Sequence, residues 1–242
     1  MGVAYRTRSA MKKIVGVLVG VVLCSASNAV AANCNDLPTA AELRTAMRAS
    51  SGPTAGGLFE GSRMWGAVVN RDGEICAYIT STNDPTQVWP GSQAIAKAKA
   101  YTANAFSLDV LALSTAQLYT FTQPGHSLWS LGQSNLWNPM ATAAPGGQGG
   151  NNQIAGGLIF FGGGVPLYKG GTIVGGLGIS GDTSCTDHEI AKRTRNQLAL
   201  NPPGGATVDD IEYGASVFAH PKCINTYKNG VFVGDEALGG PY

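Results

Sequence analysis

The sequence predicts an α+β fold in which helices pack against an antiparallel sheet. Two apolar segments, residues 65–69 and 75–80, are joined by a turn at Arg71-Asp72-Gly73, which is typical of a β-hairpin. Segments with helical spacing of apolar residues lie on both sides of this hairpin. Hairpin-linked strands that alternate with helices indicate a layered fold with an antiparallel sheet.

The predicted helices begin at recognisable capping patterns. Thr39 and Glu42 have the spacing of a capping box before an amphipathic segment. Ser92 is the expected N-cap of an alanine-rich helix at residues 93–106. A last helix is predicted from about 186 to 200, with a second capping box at its start.

The other strands are predicted on each side of glycine-rich turns. Residues 157–161 and 172–179 have the apolar character of buried strands, and residues 162–166 form a predicted turn. Residues 122–152 are irregular, and such long loops are usually functional or mobile. The tail from residue 201 is expected to be loosely structured.

The first 31 residues predict a secretory signal peptide. Positive charges between residues 6 and 13 precede an uncharged apolar run at 14–23, and Ala29-Val30-Ala31 has the small-x-small form of a cleavage site. The apolar run is shorter than the roughly 20 residues of a bilayer span. We therefore expect a secreted or periplasmic product without a membrane span, comprising a domain at 32–200 and an extension at 201–242.

The composition excludes nucleic acid as a partner. The formal net charge is +1, and only 13% of the residues are charged. Phosphate binding requires a basic face, which this composition does not provide.

The cysteines predict disulfides. Cleavage would remove Cys24 and leave Cys34, Cys76, Cys185 and Cys223. An even number in an exported protein indicates two bridges with three possible pairings. We favour Cys185 with Cys223 and Cys34 with Cys76, so that the first bridge ties the extension to the domain. A thiolate metal site is less favoured, because the sequence has no CxxC.

Two enzyme motifs fail on their context. Residues 176–181 match G-x-G-x-x-G, but they lie within a predicted strand far from any opening βαβ unit, which argues against dinucleotide binding. Ser180 lacks the G-x-S-x-G nucleophile elbow of a serine hydrolase.

The histidines are candidate ligands. His188, between Asp187 and Glu189, is either a solvated residue at a helix start or a ligand of a metal or of haem iron. His126 lies near Trp129 and Trp137, which either stack on a porphyrin or only anchor the loop.

Lys97, Lys99 and Tyr101 are weaker candidates for ligand binding. Lys97 and Lys99 either contact ligand carboxylates such as haem propionates or are solvated. Tyr101 is a further candidate iron ligand. His220 is expected at the surface.

Three blocks in order resemble the GlcG/HbpS family of haem-binding proteins: residues 68–74, residues 95–103, and residues 163–191 with their glycine-rich signature. The resemblance implies a profilin-like α/β/α sandwich with about five antiparallel strands, usually assembled as an oligomer, and it implies haem binding. Asn70 stands where the family usually has an aspartate. The resemblance assigns no iron ligand.

These observations favour an exported, non-catalytic haem-binding protein that forms homo-oligomers and takes part in haem or iron sensing, uptake or redox protection. One alternative is a small organic-acid-binding enzyme or accessory protein, with backbone N–H groups at 162–166 holding an anion. Another is a periplasmic structural protein that binds a partner. The candidate ligand-binding residues are His126, His188, Tyr101, Lys97, Trp129, Gly163, Gly164 and Pro166; the candidate metal ligands are His188, Asp187 and Glu189.

Overall fold

The structure, a computed structural model, describes residues 33–134 and 153–237 together with Gly2. Apart from Gly2, the predicted signal peptide lies outside the described residues, and so does Trp137. None of the described helices has the length and apolar composition that a membrane crossing requires.

A four-stranded antiparallel sheet forms the centre of the described fold, in the order β2-β1-β4-β3. Its strands are β1 (Trp65–Asn70), β2 (Ile75–Thr80), β3 (Gly164–Lys169) and β4 (Thr172–Ser180). A separate hairpin in the tail pairs β5 (Thr226–Lys228) with β6 (Val231–Gly234). The predicted β1–β2 hairpin and the α+β class are confirmed. The main sheet has four strands among the described residues, where the resemblance implied about five.

The prediction of a strand at 157–161 followed by a turn at 162–166 was wrong. Residues 157–161 are not paired in the sheet, and β3 begins at Gly164. Side chains satisfy part of this segment's backbone, since the Thr102 hydroxyl accepts from Ile159 N (3.0 Å) and the Thr115 hydroxyl donates to Phe161 O (2.7 Å). Because these bonds replace strand pairing, the apolar pattern of the segment indicated burial correctly but not its conformation.

The helices of the described chain are α1 (Ala40–Ser50), α2 (Ser92–Phe106), the short α3 (Trp129–Gln133) and α4 (Ser184–Gln197). The capping box at Thr39 and Glu42 is present as predicted. Ser92 does not cap α2, because the helix already begins at that residue.

The start of α4 differs from its prediction. The N-cap is Thr183, whose hydroxyl accepts from Thr186 N (3.3 Å). The carboxylate of Glu189 contacts Lys192 at 2.9 Å, so it does not complete a capping box with Thr186. The cap is therefore Thr183, three residues before the predicted one, and Glu189 forms a buried ion pair instead of closing a capping box.

The core lies on both faces of the sheet. Side chains of α1 and α4, including Leu43, Met47 and Ile190, pack with Val68 on one face. Alanines of α2 pack with Val69 on the other face. Neighbouring residues of β1 thus point to opposite layers, as strand geometry requires.

Glycines in β4 allow α2 to lie directly on the sheet. A Cβ atom at Gly178 would overlap the carbonyl oxygen of Ala96, and one at Gly176 would overlap that of Ala100. The first two glycines of the G-x-G-x-x-G match are therefore required for helix–sheet packing.

We predict that Gly178→Ala lowers the free energy of unfolding by about 1–3 kcal/mol, because the new methyl group must displace α2. The matched control is Gly91→Ala. Gly91 has α-helical φ and ψ angles, and a Cβ there has nothing within 4 Å. Urea unfolding of both variants checks the prediction, and equal midpoints for the two would contradict it.

The tail is not loosely structured in its described part. The disulfide Cys185–Cys223 fastens it to α4, as predicted, and Cys34–Cys76 joins the N-terminal segment to β2. The Arg195 guanidinium of α4 binds both carboxylate oxygens of Asp209 in the tail. One disulfide and buried ion pairs therefore attach the tail to the domain.

Candidate ligand site

A pocket of about 300 Å³ lies beside α3, and four aromatic side chains contribute to its lining; we call it the aromatic pocket. Its aromatic side chains are Tyr119, Trp129, Phe160 and Phe161. The volume is at the lower end of the usual range for small-molecule sites. No charged side chain lines the described part of this pocket.

His126 has an exposed side chain and is not itself among the residues that line this pocket. Its backbone N–H donates to Gln123 O (3.1 Å), and its carbonyl accepts from Trp129 N (3.2 Å). Gln123 and Trp129 both line the pocket. The structure therefore joins the backbone of His126 to two pocket-lining residues, whereas of the predicted pair only Trp129 lines the cavity.

His188 is fully buried between α4 and the tail. Its Nε2 accepts from Ile211 N (3.1 Å) and lies 3.4 Å from a carboxylate oxygen of Asp210. The interpretation of His188 as a solvated residue was wrong, because the tail covers it. The His188 ring is enclosed by protein, and His188 is not among the residues that line the aromatic pocket.

The predicted metal ligands do not converge. Asp187 forms an ion pair with Lys99 at 2.7 Å, whereas Glu189 contacts Lys192 and Arg193. Burial raises the pKa of Asp187 to about 6, although the Lys99 ammonium favours the ionised carboxylate. No cluster of three metal-ligating side chains occurs in the part of the chain that the structure describes.

His220 is buried, contrary to the expectation of a surface residue. Its Nε2 accepts from Gly162 N (3.2 Å), and its ring centroid lies 4.9 Å from that of Tyr119. Burial lowers the pKa of His220 to about 4, so the ring is neutral at pH 7. The sequence did not show this, because the burial comes from packing between distant segments.

Lys97 and Tyr101 both belong to α2, and neither is among the residues that line the aromatic pocket. Lys97 is only 3% exposed, and its ammonium lies 4.0 Å from the ring centroid of Tyr78. Desolvation lowers the pKa of Lys97. The expectation of solvated lysines was wrong for both Lys97 and Lys99, since both are buried.

The glycines predicted to hold a ligand are packing residues. The N–H of Gly164 donates to the Thr115 hydroxyl (2.8 Å), and the N–H of Gly162 donates to His220. A Cβ at Gly163 would crowd the Lys99 ammonium. Pro166 is buried in β3. The N–H groups of Gly162 and Gly164 therefore already have protein acceptors and do not face a ligand.

Sequence reasoning did not identify Tyr119, Phe160 and Phe161 as site residues. The adjacent phenylalanines were interpreted as part of a strand core. The sequence did contain one signal for a cavity wall, namely Phe160 and Phe161 directly before three glycines, because aromatic residues commonly line ligand pockets.

The family model described as "Haem degrading protein HbpS-like" matches residues 39–195. The chain belongs to the HbpS-like family. The sequence-based resemblance is thereby confirmed, and the tail after residue 195 lies beyond the match. No curated protein matches the chain significantly.

Solved structures similar to this HbpS-like chain include the haem complex of PduOC, with 24% sequence identity and a TM-score of 0.47. The match covers 69% of this chain and 95% of the PduOC chain. A double mutant of HbpS from Streptomyces reticuli is 23% identical with a TM-score of 0.39, covering 69% and 94%. Protein ORFY from Klebsiella pneumoniae is 22% identical with a TM-score of 0.42, covering 57% and 76%.

Proposed function

We propose that this HbpS-like chain binds haem or a related tetrapyrrole in the aromatic pocket, with His126 as an iron ligand. Family membership supports the ligand class, since the family description names haem. The observation that carries the choice of site is the exposed His126, whose backbone is hydrogen-bonded to Gln123 and Trp129 in the lining of the aromatic pocket.

The residues at the pocket fit the chemistry of a porphyrin. Aromatic faces offer stacking and apolar contact to a flat conjugated ring. Neutral imidazole is a common axial ligand of haem iron. A pocket near the lower size limit of small-molecule sites would enclose one edge of the macrocycle and leave the rest in solvent.

Comparison of the three histidines favours His126. His188 and His220 are both buried, and their Nε2 atoms accept hydrogen bonds from backbone N–H groups. Recruiting either would require displacement of the tail. His126 is exposed and can turn toward a ligand without breaking the fold.

The uncharged lining has a consequence for the haem propionates. Carboxylates are costly to bury without a partner, and the described lining supplies no cation. Bound haem would therefore keep its propionates in solvent, and Trp129 and Phe160 would offer apolar contact to the ring. Lys97, which we expected to contact propionates, is not needed at this site.

Bound haem would supply a redox-active iron, and the family description names haem degradation. We propose binding without turnover as the role of this chain. A time course of the Soret band with a thiol reductant tests this: a stable band supports a binding protein, whereas progressive loss of the band overturns the non-catalytic role.

We also propose that the chain is exported and acts as a homo-oligomer. The two disulfides support export, because such bridges persist mainly in oxidising compartments. Sedimentation of the mature protein with and without hemin tests the oligomeric state, and a monomer in both conditions would contradict it.

We predict that His126→Ala raises the hemin Kd at least about tenfold and shifts the Soret maximum, because the variant loses an iron ligand. Titration of the mature, oxidised protein with hemin measures both quantities. Ser127→Ala, at the exposed neighbouring position, is the control for disturbance of the loop and is expected to match the wild type.

Two results would contradict this proposal in different ways. An unchanged spectrum and Kd for His126→Ala would remove His126 as the ligand. Absence of saturable binding by the wild type would remove haem binding itself, and a screen of small carboxylates and of partner proteins would follow.

A further inference from the structure

The wall of the aromatic pocket is held by the C-terminal tail. The Thr120 hydroxyl donates to Ala219 O (2.6 Å), and the rings of Phe121 and Phe218 meet edge to face at 5.9 Å. The residue before Thr120 is Tyr119, which lines the pocket. The tail thus contacts the chain immediately beside a pocket-lining side chain.

One imidazole joins two sides of this wall. The Nε2 atom of His220 accepts from Gly162 N (3.2 Å), next to Phe161 in the chain, while its ring lies 4.9 Å from the ring of Tyr119. The Nδ1 atom lies 2.7 Å from Pro221 O, which accepts a hydrogen bond when Nδ1 carries the proton. This arrangement fixes the tautomer that leaves Nε2 free to accept.

A covalent bond fixes the position of this imidazole. Three residues after His220, Cys223 is linked to Cys185 in the first turn of α4. Cys223 N also donates to the Thr226 hydroxyl at 2.7 Å. The segment that carries His220 is therefore anchored to the domain at Cys223, just before the β5–β6 hairpin.

We infer that the tail segment 218–223 is part of the ligand site and that His220 is a positioning residue, which holds Tyr119 and the Phe160–Phe161 wall in the shape that receives a ligand. The inference rests on the proposed function only for the identity of the ligand. The segment lies beyond residues 39–195, so this wall support is outside the region that the family model matches.

The proposed role of His220 requires that its Nε2 atom stay unprotonated, so that it can accept the hydrogen bond from Gly162 N. Burial lowers the pKa of His220, so its ring stays neutral at pH 7 and Nε2 can accept from Gly162 N. Tyr119 covers its ring. A side chain that keeps an acceptor near the Nε2 position should therefore preserve the wall, whereas an apolar side chain of similar size should release Gly162.

The test compares His220→Gln, whose amide oxygen can accept from Gly162 N, with His220→Leu, which has no acceptor. Hydrogen–deuterium exchange of the ligand-free, oxidised protein is measured for the peptide covering residues 157–164. We expect the leucine variant to exchange at least about tenfold faster there, and the glutamine variant to stay near the wild type.

Hemin titration of the same proteins gives the second readout. The leucine variant is expected to raise the Kd at least about tenfold, and the glutamine variant to remain within about threefold of the wild type. Thr120→Val, which removes the hydroxyl bond to Ala219, is a milder variant in case the leucine protein does not fold. It is expected to raise both exchange at 157–164 and the Kd.

The positioning role is overturned if His220→Leu, or Thr120→Val in its place, leaves exchange at 157–164 unchanged. It is also overturned if the leucine and glutamine variants behave alike in both readouts, since loss of the acceptor would then be irrelevant. If the wild type does not bind hemin, the proposed function fails, and the exchange comparison alone decides whether His220 holds the wall.

Discussion

Asp209→Ala is expected to lower the free energy of unfolding by about 3–5 kcal/mol, because it leaves a buried guanidinium without its counter-ion. Arg195 is fully buried, and its two terminal nitrogens bind the two oxygens of Asp209 at 2.7 and 2.6 Å. The same guanidinium donates to the carbonyls of Pro166 and Ala206. One side chain of α4 thus joins β3 to the tail, and these carbonyls cannot neutralise its charge.

Urea unfolding of the oxidised protein at pH 7 measures this loss. Lys169→Ala is the control, because Lys169 and Asp36 form an ion pair at 2.6 Å whose side chains are 59% and 55% exposed. Exposed pairs contribute little, so the control should lose less than about 1 kcal/mol. Similar losses for the two variants would show that burial does not determine the contribution of the Arg195 pair.

Features with local signals could be predicted from the sequence. The Thr39 capping box needs only residues three apart, and the β1–β2 hairpin needs only a turn between two apolar runs. The two disulfides followed from an even cysteine count and from a preference among three pairings. In each of these cases the information lies within a short segment or in one rare residue type.

Features that depend on distant segments could not be predicted in this way. His188 and His220 are buried because the tail folds back on the domain, and the disulfide, ion pairs and hydrogen bonds that attach the tail have no sequence periodicity. Residues 157–161 are apolar because they border a pocket, and their hydrogen bonds go to threonine side chains of other segments. A pattern of apolar residues shows that a segment is covered but does not show what covers it.

The candidate site shows the same division. His126 and Trp129 are three residues apart, so the sequence shows that they are neighbours, and Trp129 lines the pocket. This pocket is completed by Tyr119 and by Phe160–Phe161, about thirty residues further along the chain, and only the fold brings these together. Residue types suited to a ligand were visible in the sequence, whereas the cavity was not.

Lys99→Met is expected to lower the free energy of unfolding by about 3–5 kcal/mol near pH 8, because it leaves the buried Asp187 carboxylate without its partner. The Lys99 ammonium donates to Asp187 at 2.7 Å and to Ile179 O at 3.1 Å, and it lies 4.7 Å from the ring centroid of Phe161 in the pocket wall. Methionine keeps an unbranched chain of similar length, so the variant mainly removes charge.

The penalty of Lys99→Met is expected to shrink as the pH falls from 8 to 5. Burial raises the pKa of Asp187 to about 6 even with Lys99 present, and loss of the ammonium raises this pKa further. A carboxyl whose pKa is higher in the folded than in the unfolded state binds protons preferentially when folded. The variant therefore regains up to about 1.4 kcal/mol per pH unit over the range in which only its own Asp187 becomes protonated.

Urea unfolding at several pH values checks this expectation, with the double variant Lys99→Met/Asp187→Asn as the control. Removing both charges eliminates the unpaired carboxylate, so the double variant should be more stable than Lys99→Met at pH 8 and should lack its additional pH dependence. The amides of Gly181 and Asp182, which donate to Asp187, would retain an acceptor in the asparagine side chain. A penalty for Lys99→Met that stays constant between pH 8 and pH 5 would show that the loss comes from packing against Phe161, and Lys99 would then act on the pocket wall through its volume instead of its charge.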